Sequence, residues 1–70
     1  VIIAEPASPF RAGVSAHLAR DAELDVAAVG SSTGTVKACA SRPPDVVLMA
    51  LHLPPDDGLV TVQRIMAVAP

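Results

Sequence analysis

Three short apolar runs, each closed by turn-forming residues and set a helix-length apart, constrain this chain more than any other feature. Val1-Ile2-Ile3-Ala4 is continuous and rich in β-branched residues, and stops at Glu5-Pro6. Leu24-Asp25-Val26-Ala27-Ala28-Val29 ends at Gly30, and Asp45 opens Val46-Val47-Leu48-Met49-Ala50-Leu51, the strongest run of the three. Unbroken apolar runs of this length read as strands covered on both faces, the pattern of a parallel sheet. Parallel strands need crossover connections, usually helical, and the intervals here are long enough to supply them.

The intervals carry helical signals. Ser8 is the expected N-cap of the first helix, with Pro9 at its first position, where a missing N–H is harmless. Phe10, Val14 and Leu18 then recur at i, i+4 and i+8, with Gly13 on the same side, which predicts an amphipathic helix to about Ala22. Ser31-Ser32-Thr33-Gly34 reads as a loop, followed by a short helix from Thr35 to Ser41 that Arg42-Pro43-Pro44 stops. Leu53-Pro54-Pro55-Asp56-Asp57-Gly58 reads as a rigid loop before a last helix with Leu59, Val62, Ile65 and Met66 inward. No internal repeat, low-complexity tract or linker interrupts the pattern.

Phe10 is the one aromatic residue in a chain that is 51% hydrophobic, so alanine and valine must build the core. At 70 residues such a core is marginal without staples. The single cysteine, Cys39, closes no intramolecular disulfide, and Cys39, His17 and His52 lack zinc-ligand spacing. One unpaired cysteine suits a reducing cytosol, which makes a cytoplasmic location the expectation. The net charge is -2 and the basic residues Arg11, Arg20, Lys37, Arg42 and Arg64 are scattered. These residues therefore offer nucleic acid neither a basic stripe nor stacking platforms. No run reaches the ~20 apolar residues of a membrane span, and the apolar start lacks the basic flank of a signal peptide. The chain opens on a hydrophobic run without an initiator Met and stops as abruptly, so both ends read as cut.

Three stretches carry a family resemblance. Val1-Ile2-Ile3-Ala4-Glu5-Pro6 leads into Pro9-Phe10-Arg11-Ala12-Gly13-Val14. Arg42-Pro43-Pro44-Asp45-Val46-Val47-Leu48-Met49 leads into the third strand. Leu53-Pro54-Pro55-Asp56-Asp57-Gly58-Leu59 follows it. In this order and spacing the chain resembles the receiver domains of two-component response regulators, of the NarL/LuxR type found in bacterial transcription regulators. The resemblance implies an α/β fold, a doubly wound parallel sheet in the order 2-1-3-4-5. Residues 1–70 would form the N-terminal part of one such domain, βαβαβα with strand order 2-1-3, lacking the last two strands and their helices. Strand three would then be an exposed edge.

The departures from the family bear on function. In active receivers an aspartate ends the third strand and accepts a phosphoryl group; here the position is Ala50, whose methyl group is no nucleophile. Two acidic residues after the first strand normally hold Mg²⁺; here they are Glu5 and Pro6, and proline offers no side-chain oxygen. The backbone carbonyl of His52 falls at the remaining metal contact of the family. One carboxylate and one carbonyl make a poor site for an ion that demands near-octahedral oxygen ligands. The resemblance therefore implies an acidic-pocket remnant of Glu5 and His52, no catalytic residue, no metal and no Mg²⁺ cofactor. Pro54, Asp57 and Gly58 fall at the family's loop after the third strand, where the equivalent of Asp57 tightens the turn and starts the third helix.

Blander readings compete at each position. Glu5 at a strand end is more often simply solvated, and Asp56-Asp57 reads more readily as loop structure than as an acid–base pair. His52 reads as an exposed loop histidine, His17 as a residue bordering the core, Cys39 as a small buried hydrophobe. Gly30 to Lys37 fails the phosphate-loop pattern, because no lysine directly follows its second glycine. The leading expectation is a phosphorylation-independent pseudo-receiver, a regulatory and non-enzymatic module of signal transduction. It would act through protein partners, self-association or a small ligand in the vacant pocket, with any DNA contact left to a C-terminal domain these residues do not include. The alternatives are a receiver phosphorylated at Asp56 or Asp57, and a structural remnant without activity.

Overall fold

β1 (Ile2–Ala4) is the one strand whose residues are all buried, and the rest of the molecule is arranged around it. In the computed structural model, which describes residues 1–69, it pairs in parallel on both sides. β2 (Ala27–Val29) lies on one side, with Ile2 opposite Ala27, and β3 (Val47–Met49) lies on the other, with Ile2 opposite Val47. The sheet order is β2-β1-β3, the order expected for a partial receiver-like fold. α1 (Ser8–Leu18) connects β1 to β2, and α2 (Ser32–Ser41) connects β2 to β3.

After β3 the chain forms a small antiparallel hairpin, β4 (His52–Leu53) and β5 (Asp56–Asp57), where the sequence suggested only a rigid loop. The Pro54–Pro55 peptide bond at its turn is cis. α3 (Gly58–Val68) follows directly. Alternation along β1 sends Ile2 to one face and Ile3 to the other. Ile2 packs with Cys39 of α2 and Ile65 of α3, flanked by Val29, Val36, Val47 and Ala69. Ile3 faces the side where α1 contributes Phe10 and Val14.

Local chemistry moves several boundaries away from the sequence reading. α1 ends at Leu18 instead of Ala22, because Asp21 folds the chain into a turn: its carboxylate accepts from the N–H of Glu23 at 2.9 Å and its carbonyl from that of Leu24 at 3.1 Å. That local hydrogen bonding outcompetes the weak helix preference of the residues around it. Ser8 is not the cap of α1; Ala7 holds that position and provides no side-chain hydrogen bond. α2 starts at Ser32 rather than Thr35, since Ser31 caps it by accepting from the N–H of Gly34 at 3.0 Å. β2 and β3 each shorten to the three residues that face β1.

The inward faces also shift. Phe10 is 56% exposed and no α1 residue is fully buried, so the apolar stripe of α1 lies against the sheet only in part. In α3 the fully buried positions are Gly58, Thr61 and Ile65, while Leu59, Val62 and Met66 remain exposed. His17 is exposed on α1 and does not border the core. Cys39 is completely buried. Among the described residues β3 is the last strand on its side of the sheet, and its central residue Leu48 is 45% exposed. No helix among the described residues is long and apolar enough to cross a membrane.

Candidate functional site

Hydrogen bonds stitch together the carboxyl ends of the three parallel strands, the edge where ligands gather in open α/β sheets. The N–H of Glu5 donates to the carbonyl of Val29 at 3.0 Å, and that of Ala50 to the carbonyl of Ala4 at 2.9 Å. Glu5, Gly30 and Ala50 therefore border one shallow rim. Ala50 is half-buried there and presents a methyl group; Pro6 is exposed. The Glu5 carboxylate turns back on its own chain and accepts from the N–H of Ala7 at 3.2 Å.

Arg11, to which the sequence reading gave no role, reaches this rim from α1. Its guanidinium donates to the carbonyl of Glu5 at 2.8 Å. A side chain on Gly30 would meet that guanidinium at 2.7 Å, so the bare glycine leaves room for the arginine. The arginine's position four residues after Ala7 follows from helical geometry, but only the fold brings it across to the end of β2.

The loop after β3 is a tightly bonded unit. His52 pairs with Asp57 across the hairpin and its side chain is exposed. The Asp57 carboxylate accepts from the N–H of Val60 at 2.8 Å and so caps α3, where its negative charge suits the helix dipole. Gly58 is buried and donates its N–H to the carbonyl of Leu51 at 2.8 Å. A Cβ at Gly58 would meet that same oxygen at 2.8 Å, so only glycine lets the two backbone segments approach this closely. Pro54 is exposed, and its carbonyl accepts from the N–H of Ser32 at 3.0 Å.

Asp56 faces α2 rather than the rim. Ser32, fully buried, accepts from the N–H of Asp56 at 3.2 Å and donates to its carboxylate at 3.4 Å. Arg64 of α3 closes the group with a 3.2 Å ion pair to the same carboxylate. The doublet Asp56-Asp57 is therefore split: one carboxylate ties α2 to α3, the other caps α3. Sequence reasoning missed Ser32 and Arg64. A helix capped at Ser31 instead of starting at Thr35 would have placed Ser32 in its first turn.

Burial pushes up the pKa of the Cys39 thiol, away from the strand ends. Among the described residues no three His, Cys, Asp or Glu side chains converge as a metal site would require. At the strand ends Glu5 supplies one carboxylate, already bonded locally, and Pro6 and Ala50 supply no side-chain oxygen. An apolar groove of about 350 Å³ runs beside this rim, between Phe10 and Val14 of α1 and Leu48 to Ala50.

Comparison with known proteins returns protein-glutamate methylesterases/protein-glutamine glutaminases. The chain is 37% identical over 71 residues to the protein-glutamate methylesterase/protein-glutamine glutaminase 2 of Anaeromyxobacter dehalogenans (strain 2CP-C). That alignment takes in all of this chain and 21% of the relative. A stretch covering 46% of the chain is 56% identical over 32 residues to the protein-glutamate methylesterase/protein-glutamine glutaminase 3 of Burkholderia orbicola (strain AU 1054), 9% of that protein. The chain thus spans about a fifth or less of the curated relatives it matches. No protein-family model and no solved structure matches it significantly. The matches, the motifs and the sheet order together support a receiver-type regulatory segment. The NarL/LuxR subtype rests on the sequence motifs alone.

Proposed function

We propose that the chain is a phosphorylation-independent pseudo-receiver, the N-terminal part of a regulatory domain that keeps the receiver shell and has lost phosphoryl transfer. The observation that carries this reading is Ala50 at the carboxyl end of β3, where the family's nucleophile would stand. A methyl group cannot attack phosphorus, and the one carboxylate nearby at a strand end, Glu5, comes without a second acidic partner to hold Mg²⁺. Asp56 and Asp57 do not replace the missing aspartate. The first is held by Ser32 and Arg64, and the second caps α3. The module itself carries no catalytic group and binds no metal in this reading; it acts through protein contacts, its own or a partner's.

Two outputs are compatible with such a module. The motifs point to a DNA-binding transcription regulator, whereas both curated relatives are named as protein-glutamate methylesterases/protein-glutamine glutaminases. The relatives favour the second, in which this segment governs a hydrolase in a longer cytoplasmic protein of a bacterial two-component system.

The test is exposure of the protein to acetyl phosphate and Mg²⁺, followed by intact-mass analysis in the cold. The expected result is an unchanged mass. A gain of about 80 Da, one phosphoryl group, would overturn the proposal and send the search to Asp56 and Asp57. Titration calorimetry with Mg²⁺, alone and with beryllofluoride, is expected to give no heat of binding; saturable Mg²⁺-dependent binding would mean that Glu5 still belongs to a working site.

A further inference from the structure

We draw no further inference here: the strongest candidate, the apolar groove beside Ala50 between α1 and β3, lined by Phe10, Val14 and Leu48, is bounded by the last strand of the described residues, and nothing in the structure shows what covers it.

Discussion

Replacing Gly58 with alanine should destabilise the fold, and the size follows from contacts at the start of α3. An alanine Cβ there lies 2.8 Å from the Leu51 carbonyl oxygen, 3.2 Å from the Leu51 Cα and 3.3 Å from the Ala50 carbonyl oxygen. All three are backbone atoms, so no flexible side chain gives way. The Leu51 oxygen also accepts the N–H of Gly58 at 2.8 Å, and moving it to relieve the clash stretches that bond. Overpacking of this kind costs about 1–3 kcal/mol, and removing glycine from a helix returns at most about 1 kcal/mol. A net loss of about 1–2 kcal/mol is a large share of the roughly 4–10 kcal/mol expected for a chain of this size. For such a domain it lowers the thermal midpoint by about 5–15 °C. Circular dichroism melts of the variant beside Gly13→Ala check the reasoning. Gly13 has nothing within 4 Å of a new Cβ and sits mid-helix, so alanine there should raise stability by about 0.5–1 kcal/mol. Equal midpoints for the two variants, or a Gly58→Ala midpoint at or above that of the parent, would refute the close-approach argument.

Three further outcomes follow from named contacts. Asp57→Ala should cost about 1 kcal/mol in urea unfolding through loss of the α3 cap, while Asp57→Asn retains most of the stability. Ser32→Ala removes both the acceptor of the Asp56 N–H and a donor to the Asp56 carboxylate, and should cost about 1–2 kcal/mol by the same assay. Cys39, its pKa raised by burial, binds its proton more tightly folded than unfolded. The stability that this contributes is fully present below the ordinary thiol pKa of 9.0 and is lost as pH rises above it towards the folded value. Melts should show a midpoint insensitive to this group at neutral pH and falling in the alkaline range, and a midpoint that rises there would reverse the assignment.

Legibility in the sequence tracked how completely each segment is enclosed. β1 was readable because its composition and its environment agree: an unbroken apolar run with both faces and both edges occupied. The run containing β3 is apolar throughout, and the last place in the order 2-1-3 that the resemblance implied for it is where its strand lies among the described residues, with Leu48 half open. Hydrophobicity reports what a segment tolerates, not whether a neighbour arrives to cover it. The stripe of α1 misleads for the same reason. Ser31 was treated as loop because serine and glycine are poor helix formers, although the same residues make good caps. The apolar runs put Glu5 and Ala50 at strand ends, and the resemblance put Gly58 in the loop after the third strand. Arg11 could not be placed, since its partner, the Glu5 carbonyl, carries no signature in the sequence.

The arrangement divides the molecule into a tightly bonded half and an open one. α2 and α3 begin alike: Ser31 and Asp57 each cap by accepting from the N–H three residues on, and Thr35 and Thr61 each return a hydroxyl to the capping residue's carbonyl, at 2.7 and 2.8 Å. That return bond satisfies the hydroxyls, which is why both threonines sit fully buried where a hydropathy reading would demand an aliphatic residue. The Ser32–Asp56–Arg64 group then locks the two helices through the hairpin. On the other side, Phe10 of α1 and Leu48 of β3 are exposed, and α1 is tied to the strand ends through the Arg11 hydrogen bond to the Glu5 carbonyl. A regulatory module without phosphoryl chemistry needs a surface whose state a partner can change. The bonded half is poorly suited to that, because moving any part of it strands buried polar groups.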